Sequence, residues 1–284
     1  MMRRALVLIA LCFGSSGFGS SGCSDNLTLP PDRDPAADPD PPVLDCIPNL
    51  DETIDASELL AAEGVPVRYV VSPSGTSRSV DLDGEEIDGE RVWDFATDYA
   101  DDEALTVVVG SLEARWYASS FPSGAFTTPF NRSGSLESVG RISDGAFQLL
   151  GLASRDEDPD EGQTLLVYEP PITVLRLPVE VGDQFVSTGE IEGGVLQGLP
   201  YAGRDTYEVS VDALGRIDLL QYTFEQVHRV RTKVTVEPAV GASAVRYQTS
   251  FFAECFAEVA RAVSEDGATS EDFTEAAELR RLGF

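Results

Sequence analysis

From Val67 onward the apolar residues fall in short runs rich in β-branched and aromatic side chains, each closed by Gly, Pro, Ser or Asp. This punctuation constrains the fold more than any other feature. Val67–Val71, Leu105–Val109, Ala146–Leu152 and Thr164–Tyr168 are such runs, long enough for strands and too short for helices. The clearest alternation lies between Asp205 and Glu237, where Tyr207, Val209 and Val211 interleave with Thr206, Glu208, Ser210 and Asp212. That pattern buries one face and wets the other. Ala213-Leu214-Gly215-Arg216 reads as the turn of a hairpin whose second arm continues through Tyr222, Phe224, Val230, Val234 and Val236. Phe251–Phe256 reads as a further strand near the end. No strands alternate with long amphipathic helices, which argues against a parallel α/β sheet. The expected fold is all-β, an antiparallel sandwich or strongly curved half-barrel. One short N-terminal helix is expected over Asp55–Glu63, capped by Asp55 or Ser57 and ended by Gly64. Segment 270–282 fits helix and strand equally.

The first residues read as an address. Arg3 and Arg4 precede a short apolar run, then small residues lead to Ser20-Ser21-Gly22-Cys23. This resembles a bacterial lipobox, so residues 1–22 are expected to be a signal peptide and Cys23 the lipidated residue, with palmitate among its acyl groups. Several acyl chains on one cysteine hold a protein firmly at a membrane. Ser24 and Asp25 do not form an Asp-first retention signal, which favours the outer membrane over the inner. Residues 23–45, rich in Pro and Asp, read as an extended stalk. A single β-rich domain is expected over 46–284.

Charge narrows the partners. With 49 acidic and 20 basic residues the formal charge is −29, so a phosphate-neutralising surface and hence nucleic acid are excluded as a partner. The membrane is met through the lipid anchor. No pattern singles out a protein, glycan or lipid beyond it, and no cofactor is implied.

Catalytic and metal constellations are weak. Asp156, Asp158 and Asp160 have the spacing of a calcium loop, but Pro159 stiffens it and Gly162 falls one position late; a solvated turn explains it equally well. Asp81–Glu86 and Asp98–Glu103 are weaker versions. His228, the single histidine, follows the inward alternation of its strand and reads as a hydrogen-bonded core residue. No G-x-S-x-G turn accompanies it, so a serine-histidine relay lacks its nucleophile. Arg229, Arg231 and Lys233 form the opposite face and read as partners of Glu208, Ser210 and Asp212 on the neighbouring strand. Trp116, Tyr117, Phe121, Phe126 and Phe130 read as core and loop anchors. The chain is expected not to be an enzyme.

Cysteine usage gives the most definite expectation. Cys12 leaves with the signal peptide and Cys23 takes the lipid, so Cys46 and Cys255 remain in an oxidising compartment. They are expected to form a disulfide closing a loop of about 210 residues.

Three stretches carry a family resemblance: Trp93-Asp94-Phe95; Tyr168-Glu169-Pro170-Pro171 leading to Leu175-Arg176-Leu177-Pro178; and Val211-Asp212-Ala213-Leu214-Gly215 before Arg229-Val230-Arg231-Thr232. Their order resembles a group of secreted and lipid-anchored bacterial β-domain proteins to which no activity is attached. His228 stands where an aliphatic residue is usual. The resemblance implies an extracytoplasmic β domain. The resulting expectation is a lipid-anchored, non-catalytic envelope protein, structural or ligand-binding. Two alternatives remain. A carrier of an apolar ligand would need a cavity lined by Leu, Phe and Val; a carboxylate-based hydrolase would need two acids facing each other in one cleft.

Overall fold

The computed structural model describes residues 46–59, 63–143 and 145–283. The expected signal peptide (1–22), Cys12, the expected lipidation site Cys23 and the expected stalk (23–45) lie outside the described residues. After an entry segment, β1 (Pro66–Val71) is followed by an excursion carrying β2 (Arg78–Ser79), β3 (Glu85–Ile87) and β4 (Glu90–Phe95). The chain returns as β5 (Glu103–Val108) and runs on into β6 (Gly110–Ser111). After a 3-10 turn at Ala118–Ser120 come β7 (Phe126–Pro129), β8 (Leu136–Ser143), β9 (Ala146–Ser154) and β10 (Leu165–Arg176). Then follow β11 (Gln184–Leu196), β12 (Leu199–Leu219), β13 (Thr223–Pro238), β14 (Ala244–Ala253), β15 (Ala257–Ser264) and β16 (Glu275–Leu282).

Every strand from β7 to β16 pairs antiparallel with the next, β16 pairs with β1, and β1 with β5. At the opposite border β6 pairs with β7, Gly110 facing Thr127. The two borders are therefore consecutive stretches of one strand, separated only by Val109. The sheet curls into a nearly closed half-barrel, not a two-layer sandwich. Between β5 and β7 there is no register; the strands stay neighbours there without a ladder, and the Arg132–Glu103 ion pair (3.4 Å) joins their ends.

Two excursions cover the outside of the barrel. The β2–β4 segment brings Val80, Leu82, Trp93 and Phe95 onto Phe251, Val259, Ala262 and Leu279, making a second core on the outer face of β13–β16. Arg281 pins its return, donating to the Phe95 and Thr97 carbonyls and to Asp102. Residues 112–121 similarly pack Leu112, Tyr117 and Phe121 against Val139 and Leu150.

Three expectations are corrected. Ala213–Arg216 is not a turn: β12 runs through it, with bulges against β13 on either side of Leu214, and the chain reverses only after Leu219. Gly215 serves close approach instead. A Cβ there would lie 2.3 Å from the Arg91 carbonyl oxygen, because β4 pairs in parallel along Arg216–Leu219. The described part of Asp55–Glu63 forms a turn, not a helix; residues 60–62 lie outside the described residues. Ile54 is bridged to Val179, and the Glu58 carbonyl accepts the Cys255 amide (2.8 Å), so this backbone is already committed elsewhere. Finally, Cys255 sits in the turn between β14 and β15, at φ +65°, not within a strand. Segment 270–282, which the sequence left open, contributes β16.

Candidate ligand cavity

A ring with more than roughly eight strands is too wide for its own side chains to fill. Inward positions alternate along each strand: Val67 and Tyr69 on β1, Phe126 and Thr128 on β7, Arg246, Gln248, Ser250 and Phe252 on β14. They line a cavity of about 690 Å³ that is partly open to solvent, well inside the roughly 300–1,000 Å³ range of small-molecule sites. It runs along the strands. Leu59 from the entry segment and Phe252 line one end, while Arg246 and Asp266, ion-paired at 2.6 Å, line the other. Six residues of strand separate Arg246 from Phe252, about 20 Å.

The walls differ in chemistry. Val107, Phe126, Phe147, Val174 and Leu175 make one side apolar. The facing side, on β14–β16, carries Gln248, Ser250, Glu258, Arg261, Glu278 and Arg280. Glu258 accepts from the Ser250 hydroxyl (2.8 Å) and from the Arg280 guanidinium. Arg261 donates to Glu278 (3.1 Å). Burial alone would push the Glu258 pKa up, but Arg261 and Arg280 outweigh it and hold the carboxyl below its ordinary value. It is a fixed anion and a poor general acid. The Tyr69 hydroxyl donates to the Glu258 carbonyl (2.9 Å), and burial raises its pKa to about 12. The Nε–H groups of Arg261 and Arg280 are buried and without an acceptor.

The residues singled out by sequence lie elsewhere. Cys46 and Cys255 come together at a Cα separation of 5.6 Å as a disulfide. The bridge fastens the entry segment beneath the barrel, helped by Glu254, whose carboxylate accepts the Asn49 and Leu50 amides (2.7 and 2.9 Å). Asp156, Asp158 and Asp160 are exposed on the β9–β10 loop, and among the described residues no group of three or more ligating side chains is placed to hold a metal. The row on β13 pairs largely as its register requires: Lys233 with Glu208 (2.6 Å), Arg229 and Arg231 with Asp212 (2.8 and 2.9 Å). Asp83 and Asp272, arriving from outside, complete the burial of the two arginines. Trp116, Tyr117 and Phe121 anchor an outer loop; Phe126 and Phe130 line the cavity.

His228 is completely buried and does not line the cavity. Its Nε2 lies 3.1 Å from the Glu52 carbonyl, which can only accept, so Nε2 carries the proton. Burial pushes its pKa below the usual value of 6.5. The unfolded chain therefore takes up a proton first as pH falls below about 6.5, and stability declines from there toward the lower folded-state pKa. The single imidazole is expected to titrate below 6.5 by NMR, with the melting temperature falling between pH 7 and 5. An imidazole titrating above 6.5 would contradict this environment.

Sequence reasoning missed the charged wall. Its signal, Glu278 and Arg280 two residues apart, becomes readable only once that segment is known to be a strand. No family model, curated protein or solved structure matches the chain.

Proposed function

We propose that the domain is a carrier of the bacterial envelope that holds an elongated apolar chain, such as an acyl chain, inside its half-barrel. The observation that carries this reading is the cavity of about 690 Å³ with an apolar wall of Val, Phe and Leu. A purely structural domain gains nothing from unfilled interior space, since voids forfeit packing. The lipobox-like sequence at Cys23 and the stalk over 23–45 support a lipid-anchored position, in which the barrel reaches ligands near the membrane. The hydrolase alternative is weakened by the chemistry of Glu258, whose carboxyl is held below its ordinary value by Arg261 and Arg280 against the effect of burial, whereas a general acid needs a raised pKa.

N-phenyl-1-naphthylamine, an uncharged fluorophore that brightens in apolar surroundings, tests the reading. Saturable binding at one site per chain is expected. Val174→Trp fills the cavity from its apolar wall and should weaken binding at least about tenfold while the fold survives by circular dichroism. Fluorescence that fails to saturate, or that ignores Val174→Trp, would remove the basis for a carrier.

A further inference from the structure

We infer that the entry segment is the stop of a molecular ruler: the ligand enters tail first, ends against a floor at Leu59 and Phe252, and leaves its head in solvent. The class of ligand is then an amphiphile whose tail is limited to about 12–16 carbons. This rests on the carrier reading and names the ligand for the same cavity.

The two ends of the cavity differ. At one end Leu59 and Phe252 are buried, and behind them Ile54, Val179, Phe185 and Val211 belong to the same packed apolar cluster. Ile54 is bridged to Val179, the Glu58 carbonyl accepts the Cys255 amide (2.8 Å), and the Cys46–Cys255 disulfide fastens the segment below. Phe256, whose ring reaches solvent at this end, rests edge-on against Phe224 at 5.0 Å. A tail arriving here meets close-packed side chains, not water.

At the other end the lining is open. The side chains of Arg246 and Asp266 are 56% and 77% exposed, and Phe130 is exposed beside them. Nε and Nη2 of Arg246 both donate to Asp266 (3.1 and 2.6 Å), so the mouth offers a paired charge and no lone cation to select a head. A polar head stays hydrated there, because burying it unpaired would cost free energy. Between the ends the tail lies along Phe126, Phe147 and Val174.

The length follows from the strand. Arg246 to Phe252 spans about 20 Å along β14, or about 15 Å along the axis of a barrel whose strands tilt by roughly 35–45°. An extended alkyl chain advances about 1.25 Å per carbon, from its bond length and tetrahedral angle. Carbons beyond the limit remain in water and add no affinity.

Alkyl maltosides with tails of eight to eighteen carbons, each kept below its micellar concentration, test this by displacing N-phenyl-1-naphthylamine from the full chain. Affinity is expected to rise about fourfold per carbon and then to level off between about 12 and 16 carbons. Leu59→Ala deepens the floor and should move the break at least two carbons longer. Val230→Phe, beside the same floor, should move it at least two carbons shorter; it opens no void, so it decides the matter if Leu59→Ala fails to fold by circular dichroism. Affinity that climbs through eighteen carbons without a break would overturn the ruler and leave the carrier reading standing. So would a break that the folded floor variants do not move. Failure of the fluorophore itself to bind would overturn both.

Discussion

Cys255→Ser is expected to lower the unfolding free energy by about 3–5 kcal/mol, or roughly 10 °C in melting temperature for a domain of this size. The bridge closes a loop spanning 209 positions, so its loss restores much conformational freedom to the unfolded chain. The folded state suffers too. Without the bridge, the amides of Asn49 and Leu50 on Glu254 and the buried side chains of Ile54 and Leu59 must hold the entry segment alone. Wild-type protein in dithiothreitol should melt where Cys255→Ser does. Adding Cys46→Ser to the variant should change nothing further, because both substitutions remove one bond. A melting temperature insensitive to reductant would contradict the role assigned to the bridge.

Trp93→Ala should cost about 3–5 kcal/mol as well, by a different route. The indole has no exposed surface, meets Phe251 edge-on at 5.0 Å, and donates from Nε1 to the Leu82 carbonyl (3.0 Å). Arg229 lies over its ring at 5.6 Å. Truncation would empty the centre of the outer core and loosen the β2–β4 excursion. Because this core lies outside the barrel, fluorophore binding should persist under folding conditions. Urea denaturation measures the first effect, with Trp116 reporting as the remaining tryptophan. A loss below about 1 kcal/mol would show the site to be far more plastic than its packing implies.

The strands were legible wherever one face met water. The alternation at Tyr207, Val209 and Val211 survives in β12 because Glu208 and Asp212 point outward. It fails where excursions cover the outside: Phe251, Phe252 and Ala253 are buried in succession, so no period of two can appear. Bulges at Phe251/Phe252 and Val263/Ser264 shift register beside the charged wall, hiding which side of the sheet Glu258 and Arg261 face. Gly215 misled because a glycine needed for strand crossing looks, in one dimension, like a glycine needed for a turn. The disulfide was readable by elimination alone, since it depended on compartment and count and not on topology.

The closing seam has a consequence for capacity. β6 and β7 share two registered residue pairs, and beyond Val109 the strands β5 and β7 stay neighbours without a registered ladder, their ends joined by the ion pair between Arg132 and Glu103. An exposed ion pair of that kind contributes about 1 kcal/mol or less. Spreading the wall there breaks few backbone pairs, whereas thirteen-residue β11 and twenty-one-residue β12 are joined by a long antiparallel ladder on the far side. On the carrier reading proposed above, the bore is expected to widen first at this seam, so that ligands of different girth would be accommodated there before the rest of the sheet is disturbed.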